Sequence, residues 1–150
     1  MGNLKQRLIK PGRDFNYAEG VKVKAGEAIA ANKVVRVSSY SGPFLVVMKA
    51  QADVSANAAG RLMITKHDIP SGGYGVCLPW KLVTGINTSA GSAGDLVYVS
   101  AATAGELALT APSGGTTVAV CVGHIVVDDT ATAALSGAIL FASDPGERIV

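Results

Sequence analysis

Side chains able to do chemistry are few in this chain and widely spaced. Its 150 residues include two histidines, His67 and His124, and two cysteines, Cys77 and Cys121. A structural or catalytic metal needs ligands at short, defined spacings, and neither H-E-x-x-H nor C-x-x-C occurs. Cys77 with a distant histidine has the atoms of a thiol hydrolase, but no flanking signature accompanies it. Both cysteines lie in apolar runs, so reduced core thiols are expected. No G-x-S-x-G elbow presents a serine nucleophile. Asp128 and Asp129 are adjacent, and neighbours on a strand point to opposite faces, so the pair reads as cap or loop residues rather than acid and base. His67-Asp68, ahead of Pro70, reads as a surface hydrogen-bonding pair. Gly72-Gly73-Tyr74-Gly75 is glycine-rich but leads into a strand pattern. A phosphate cradle needs a helix N-terminus there, so a hairpin turn is expected. The expectation is a protein without catalytic residues, metal or cofactor.

The elements that would carry these residues read as strands. From residue 20 onward, β-branched runs alternate with turn residues. Val21 to Lys24 has period two. Lys33 to Val37, Phe44 to Lys49 (read as a buried strand), Arg61 to Lys66, Gly75 to Leu78 and Lys81 to Ile86 follow, then Asp95 to Ser100 and Glu106 to Thr110. Thr117 to Val127 is long enough for one bent strand or two, and Gly137 to Ala142 closes the set. About ten short strands with turns every 8–12 residues predict a compact all-β sandwich or barrel. Only 52–59 and 128–135 suggest helix, and both are too short to be more than peripheral. Three phrases share a grammar of small residue, Gly, acid, apolar: Ala25 to Ile29, Ala93 to Val97 and Ala104 to Ala108. Turn chemistry accounts for the echo, since Gly supplies positive φ and the acid sits at an exposed strand entrance.

Residues 1–19 differ in kind. They carry Lys5, Arg7, Lys10 and Arg13, then Pro11-Gly12, Phe15 and Tyr17, with no helix or strand period. The division expected is an extended N-terminal arm, 1–19, ahead of a single β domain, 20–150. The aromatics point to an arm that docks, because a solvating tail rarely carries them. Leu4, Lys5, Arg7, Leu8, Ile9, Lys10, Arg13, Phe15 and Tyr17 are its candidate contacts, with Asp144 to Val150 second. Trp80, Tyr74 and His124 are candidate subunit-interface residues, Trp80 as a core or interface anchor and His124 as a half-buried or interface residue.

Composition bounds the partners. The formal charge is +2 and charged residues make up 16% of the chain, against about 25% in ordinary soluble domains. A surface so poor in charge and 49% apolar in composition calls for cover, which predicts a homo-oligomer. No run approaches the roughly 18–20 apolar residues of a membrane span, and no apolar stretch follows the basic N-terminus as in a secretory signal. A cytoplasmic site of assembly is expected. Nucleic-acid binding is disfavoured: aromatics total 5%, and the basic arm lacks the charge density that counterion release rewards.

The middle of the chain is more specific. Ala52-Asp53 followed by His67-Asp68-Ile69-Pro70-Ser71-Gly72-Gly73-Tyr74-Gly75-Val76 has an acid-Ile turn, a Gly and then a strand. Ile86 to Ser89, Ala93-Gly94-Asp95-Leu96-Val97-Tyr98-Val99-Ser100-Ala101, Ala104 to Pro112 and Val120 to Val126 continue in the same idiom. Over residues 20–142 the chain resembles bacteriophage capsid decoration proteins, the lambda-type head decoration family and its relatives. That resemblance implies a compact β domain, commonly trimeric, on the outer capsid surface. Its partner would be the major capsid protein, it would stabilise the shell, and it would bring no catalytic residues. The implied location is the virion. Two other classes compete. A carbohydrate-binding β module of a phage tail or fibre would display stacking aromatics, for which Trp80 with Tyr74 and Tyr40 with Phe44 are the available pairs. A trimeric β nucleotidohydrolase of the dUTPase kind would need an Asp-containing strand motif, an Arg-Ser-Ser-like loop and a glycine-rich C-terminal arm. None of these is legible.

Overall fold

A computed structural model describes residues 20–129 and 135–142. Ten strands form in the order the sequence predicts: β1 (Val21–Ala25), β2 (Val34–Ser41), β3 (Phe44–Lys49), β4 (Leu62–Thr65), β5 (Tyr74–Leu78), β6 (Trp80–Ile86), β7 (Leu96–Val99), β8 (Leu107–Ala108), β9 (Cys121–Val127) and β10 (Gly137–Ala142). The 52–59 helix candidate shrinks to a single 3₁₀ turn, Ser55–Ala58. Asp53 instead turns the chain through its own carboxylate, which accepts from Val54 N–H and Asn57 Nδ2, both at 2.9 Å. Of the second candidate, residues 130–134 lie outside the described residues. Of the long 117–127 run, only Cys121–Val127 is strand.

Strands β1 to β5 close into a barrel in the order β1-β3-β2-β4-β5. All neighbours are antiparallel except β1 and β3. Strands β6 to β10 form an open, wholly antiparallel sheet in the order β6-β10-β9-β7-β8. The two orders are the same. With β6 to β10 placed on β1 to β5 in sequence order, every pairing of the sheet has its counterpart in the barrel. The barrel's parallel β1–β3 closure is the one pairing missing from the sheet. Strand β8, two residues against six in β3, is too short to supply it. The chain is thus one five-strand plan used twice, first closed and then open. Of the three echoing phrases, the first two fall in equivalent connections (β1–β2 and β6–β7) and the third in the β7–β8 turn.

The open unit wraps the closed one. Val23, Ala25, Ile29, Val35, Val47, Met63, Ile69 and Cys77 fill the barrel. A second core joins the barrel's outer side, through Val34, Leu62, Ile64 and Leu78, to the concave face of the sheet, through Val83, Val97, Val99, Ile125, Ile139 and Phe141. Strand β4 lies between the two cores. That is why Leu62, Met63, Ile64 and Thr65 are all buried although they alternate in face. The buried Thr65 hydroxyl is satisfied, donating to Ala30 O at 2.7 Å and accepting from Lys33 N–H at 2.9 Å. Main-chain bonds also stitch the units. Val34 N–H donates to Gly105 O at 2.8 Å, and Gly105 N–H donates to Ala50 O at 2.7 Å. Phe44 to Lys49, expected as a buried strand, is only half-buried, because one face of β3 looks outward from the barrel.

Candidate functional site

The residue types capable of chemistry make local structural bonds or lie buried. The His67 ring accepts Val76 N–H at Nε2 (3.2 Å), so Nδ1 carries the proton and donates to Asp68 O (2.9 Å). The Asp68 carboxylate accepts Ala31 N–H at 2.8 Å. Cys77 is fully buried, and burial pushes its thiol up to about 12. Cys121 is buried as well, and both cysteines are free. Gly72 and Gly73 form a turn in which Gly73 N–H donates to Pro70 O at 2.9 Å, and the chain passes directly into β5. Among the described residues, no group of three His, Cys, Asp or Glu side chains is placed to hold a metal ion. No helix among them is long and apolar enough to cross a membrane.

Asp129 has the most elaborate surroundings. It is 5% exposed. Its carboxylate accepts from Thr88 N–H and Ser136 N–H, both at 3.1 Å, and from the Ser136 hydroxyl. Its own N–H donates to Thr88 Oγ1, and that hydroxyl donates to Val127 O, both at 2.9 Å. The Ser136 hydroxyl, aided by the backbone N–H groups of Thr88, Ser136 and Gly137, holds the carboxyl below the usual carboxylate range against the opposing effect of burial. The knot ties the β6–β7 connection to the ends of the β9–β10 connection. It is a structural latch, its bonds made among Thr88, Val127, Asp129 and Ser136.

The outward face of the open sheet carries an uncharged row. Strand pairing sets Leu82 against Leu140, Leu140 against His124, and His124 against Leu96. These four residues form one row across the outward face of β6, β10, β9 and β7. No charged side chain interrupts the row. Leu82, His124 and Leu96 are exposed and Leu140 is half-buried. Trp80, two residues from Leu82 on the same face, is 52% exposed within this chain, so it is not a core anchor. The same strand edge is where the described chain begins and ends. Gly20 packs against Cys77 and Leu78, and Ala142 pairs with Trp80. The arm residues Leu4 to Tyr17 and the segment Asp144 to Val150 lie outside the described residues. Both join the fold at this β5–β6 junction.

A second surface lies on the barrel. Lys22 and Lys24 alternate with the buried Val23 and Ala25, and so face outward. Lys22 Nζ stands 5.6 Å from the Phe44 ring centroid, and Phe44 meets Tyr74 edge to face at 4.9 Å. Tyr74, 53% exposed, thus belongs to the barrel face, away from Trp80 and His124 with which the sequence grouped it. A cavity of about 340 Å³ opens between β6 and β8, lined by Asn32, Lys33, Val83, Ile86, Leu107 and Ile139. It marks where the second unit fails to close.

The near-neutral whole conceals a segregation of charge. Residues 1–79 carry eleven Lys and Arg against five Asp and Glu, and residues 80–150 carry two against six. The division falls at the β5–β6 junction; among the described residues the closed unit carries seven Lys and Arg against three Asp and Glu, and the open unit one against four. The signal is legible in the sequence once charges are counted by unit. Comparison with protein-family models, with known proteins and with solved structures finds no match.

Proposed function

We propose that this chain is a non-enzymatic structural protein that binds the outer surface of a bacteriophage capsid and stabilises the shell. The observation that carries this reading is the convergence at the β5–β6 junction. Both chain ends join the fold there, beside the exposed Trp80 and the uncharged row that follows it. The segments that precede Gly20 and follow Ala142 thus start beside an apolar anchor. Extended segments can add strands to a partner's sheet edge, where main-chain hydrogen bonds give affinity. Many copies on one shell then make weak single contacts sufficient. Resemblance to phage decoration proteins supplies the partner, the major capsid protein, and the location, the virion. Phe44 and Tyr74 meet edge to face at an interplanar angle of 62°, so this pair is not a flat stacking platform.

The test is co-sedimentation of the purified protein with empty, expanded phage capsids at rising salt. Saturable binding at a fixed ratio to the capsid protein is expected. A chain beginning at Gly20 should keep its β fold and lose the binding. Absence of binding to capsids of the right phage, or full binding by the shortened chain, would overturn the reading.

A further inference from the structure

We infer that the cleft between β6 and β8 holds residues 4–10 of the chain's own N-terminal arm, as a sixth strand that closes the open sheet. The inference does not rest on the capsid reading, and its test needs no capsid.

The two free edges leave room for one strand and fix its direction. Among the described residues β6 pairs only with β10 and β8 only with β7, and no further main-chain bond reaches Trp80–Ile86 or Leu107–Ala108. All four pairings across the sheet are antiparallel, so its edge strands β6 and β8 run in the same direction. Direct pairing of these edges would be parallel, as in the barrel's β1–β3 closure. One added strand, antiparallel to both, completes the ladder without a parallel step. Between the edges lies the cavity of about 340 Å³, where Ile86, Leu107 and Leu109 are only half-buried. Strand β8 is itself cut short. Its alternation runs from Glu106 to Thr110, yet only Leu107–Ala108 is strand, as suits an edge with a neighbour on one side alone.

The arm fits in direction, reach and length. Gly20 packs against Leu78, two residues before β6 begins at Trp80, so the arm arrives at the foot of β6. A strand descending to that foot is antiparallel to β6 and β8. Asn32 and Lys33 close the foot of the cleft: Lys81 Nζ donates to Asn32 Oδ1 at 2.5 Å, and Lys33 pairs with Glu106. The connection, residues 11–19, opens with Pro11-Gly12 and can span up to about 30 Å. Residues 4–10 number seven, as β6 does. Extended, they put Leu4, Gln6 and Leu8 on one face, toward the apolar cavity, and Lys5, Arg7 and Ile9 on the other. The stretch after Ala142 offers no such run, because Pro145-Gly146 divides it.

Hydrogen exchange read by mass spectrometry tests the inference on the full chain, alone. Amides of residues 80–86 and 107–110 should exchange at least about tenfold more slowly than in a chain beginning at Gly20. Leu8→Pro in the full chain should remove that protection, because every amide of a strand with two neighbours belongs to a ladder and proline has none to give. A peptide of residues 1–17 added to the shortened chain should restore it. Thermal melts of each variant establish that it is folded. Equal exchange in the full and shortened chains would sink the inference. So would protection that survives Leu8→Pro, or a peptide that restores none. Protection that grows with protein concentration would mean that a second copy supplies the strand, and would overturn the assignment to the chain's own arm.

Discussion

At the scale of single residues, polar groups in this protein hold turns in place. Asp129 is the clearest case. Its carboxyl titrates below the ordinary range of about 3.9 because the charged form is the one Ser136 and Thr88 bond to. A group whose folded pKa is depressed stabilises the fold fully above its unfolded value, and that stability is lost as pH falls through the folded value. The melting temperature should therefore be level from about pH 7 to 5 and drop below about pH 4. Asp129→Ala should lower it at neutral pH and flatten the acid limb, as differential scanning calorimetry at several pH values would show. An acid limb identical in the variant would assign the loss to other carboxylates. Cys77 leads to a second expectation. With the thiol raised to about 12 by burial, almost no thiolate exists at pH 8. Mass spectrometry after brief alkylation should find Cys77 unmodified in the native protein and modified in denaturant. Rapid native modification would mean that the barrel opens.

At the scale of elements, strands were legible because their signal is local. Alternation in Val21 to Lys24 survives directly as buried Val23 between exposed or half-exposed lysines. Strand β4 was legible as a strand but not as a doubly buried one, because its second covering comes from residues beyond position 80. The same reason hid the repeat. It resides in which strands pair, and pairing leaves almost no trace in a sequence whose two halves differ in side chains. His124 and Trp80 were legible as unusual, and their shared outward face follows only from the register of β6, β10 and β9. Register also fixes a constraint that composition cannot show. A Cβ at Gly123 would stand 1.9 Å from Leu140 O and 3.2 Å from the Phe141 Cα, all backbone of the neighbouring strand. Neither strand can yield without breaking the ladder between them. Gly123→Ala should cost about 1–3 kcal/mol or more in urea denaturation. A change within about 0.5 kcal/mol, ordinary for a surface substitution, would show that β9 and β10 are not held in this register.

At the scale of the whole molecule, the question is whether the plan used twice makes two domains or one. Topology argues for two, since each five-strand unit is a complete set of pairings apart from one closure. Energetics argues for one. The closed barrel has its own interior, but the open sheet has none: its concave face is buried only because Val34, Leu62, Ile64 and Leu78 of the barrel fill it. Removed from the barrel, the sheet would expose Val83, Val97, Ile125, Ile139 and Phe141 to water. At about 25 cal/mol per Å² of apolar surface, no isolated sheet of this size tolerates that. The barrel in turn would bare the outer side of β4. The two units should therefore unfold together, in one transition whose calorimetric and van't Hoff enthalpies agree. Substitutions in the shared core sharpen the test. Phe141→Ala on the sheet and Leu62→Ala on the barrel should each cost about 2–5 kcal/mol and shift the whole transition. A barrel that melts separately, leaving the signal of β1 to β5 unmoved by Phe141→Ala, would show instead that the closed unit is an independent domain and the open unit an appendage to it.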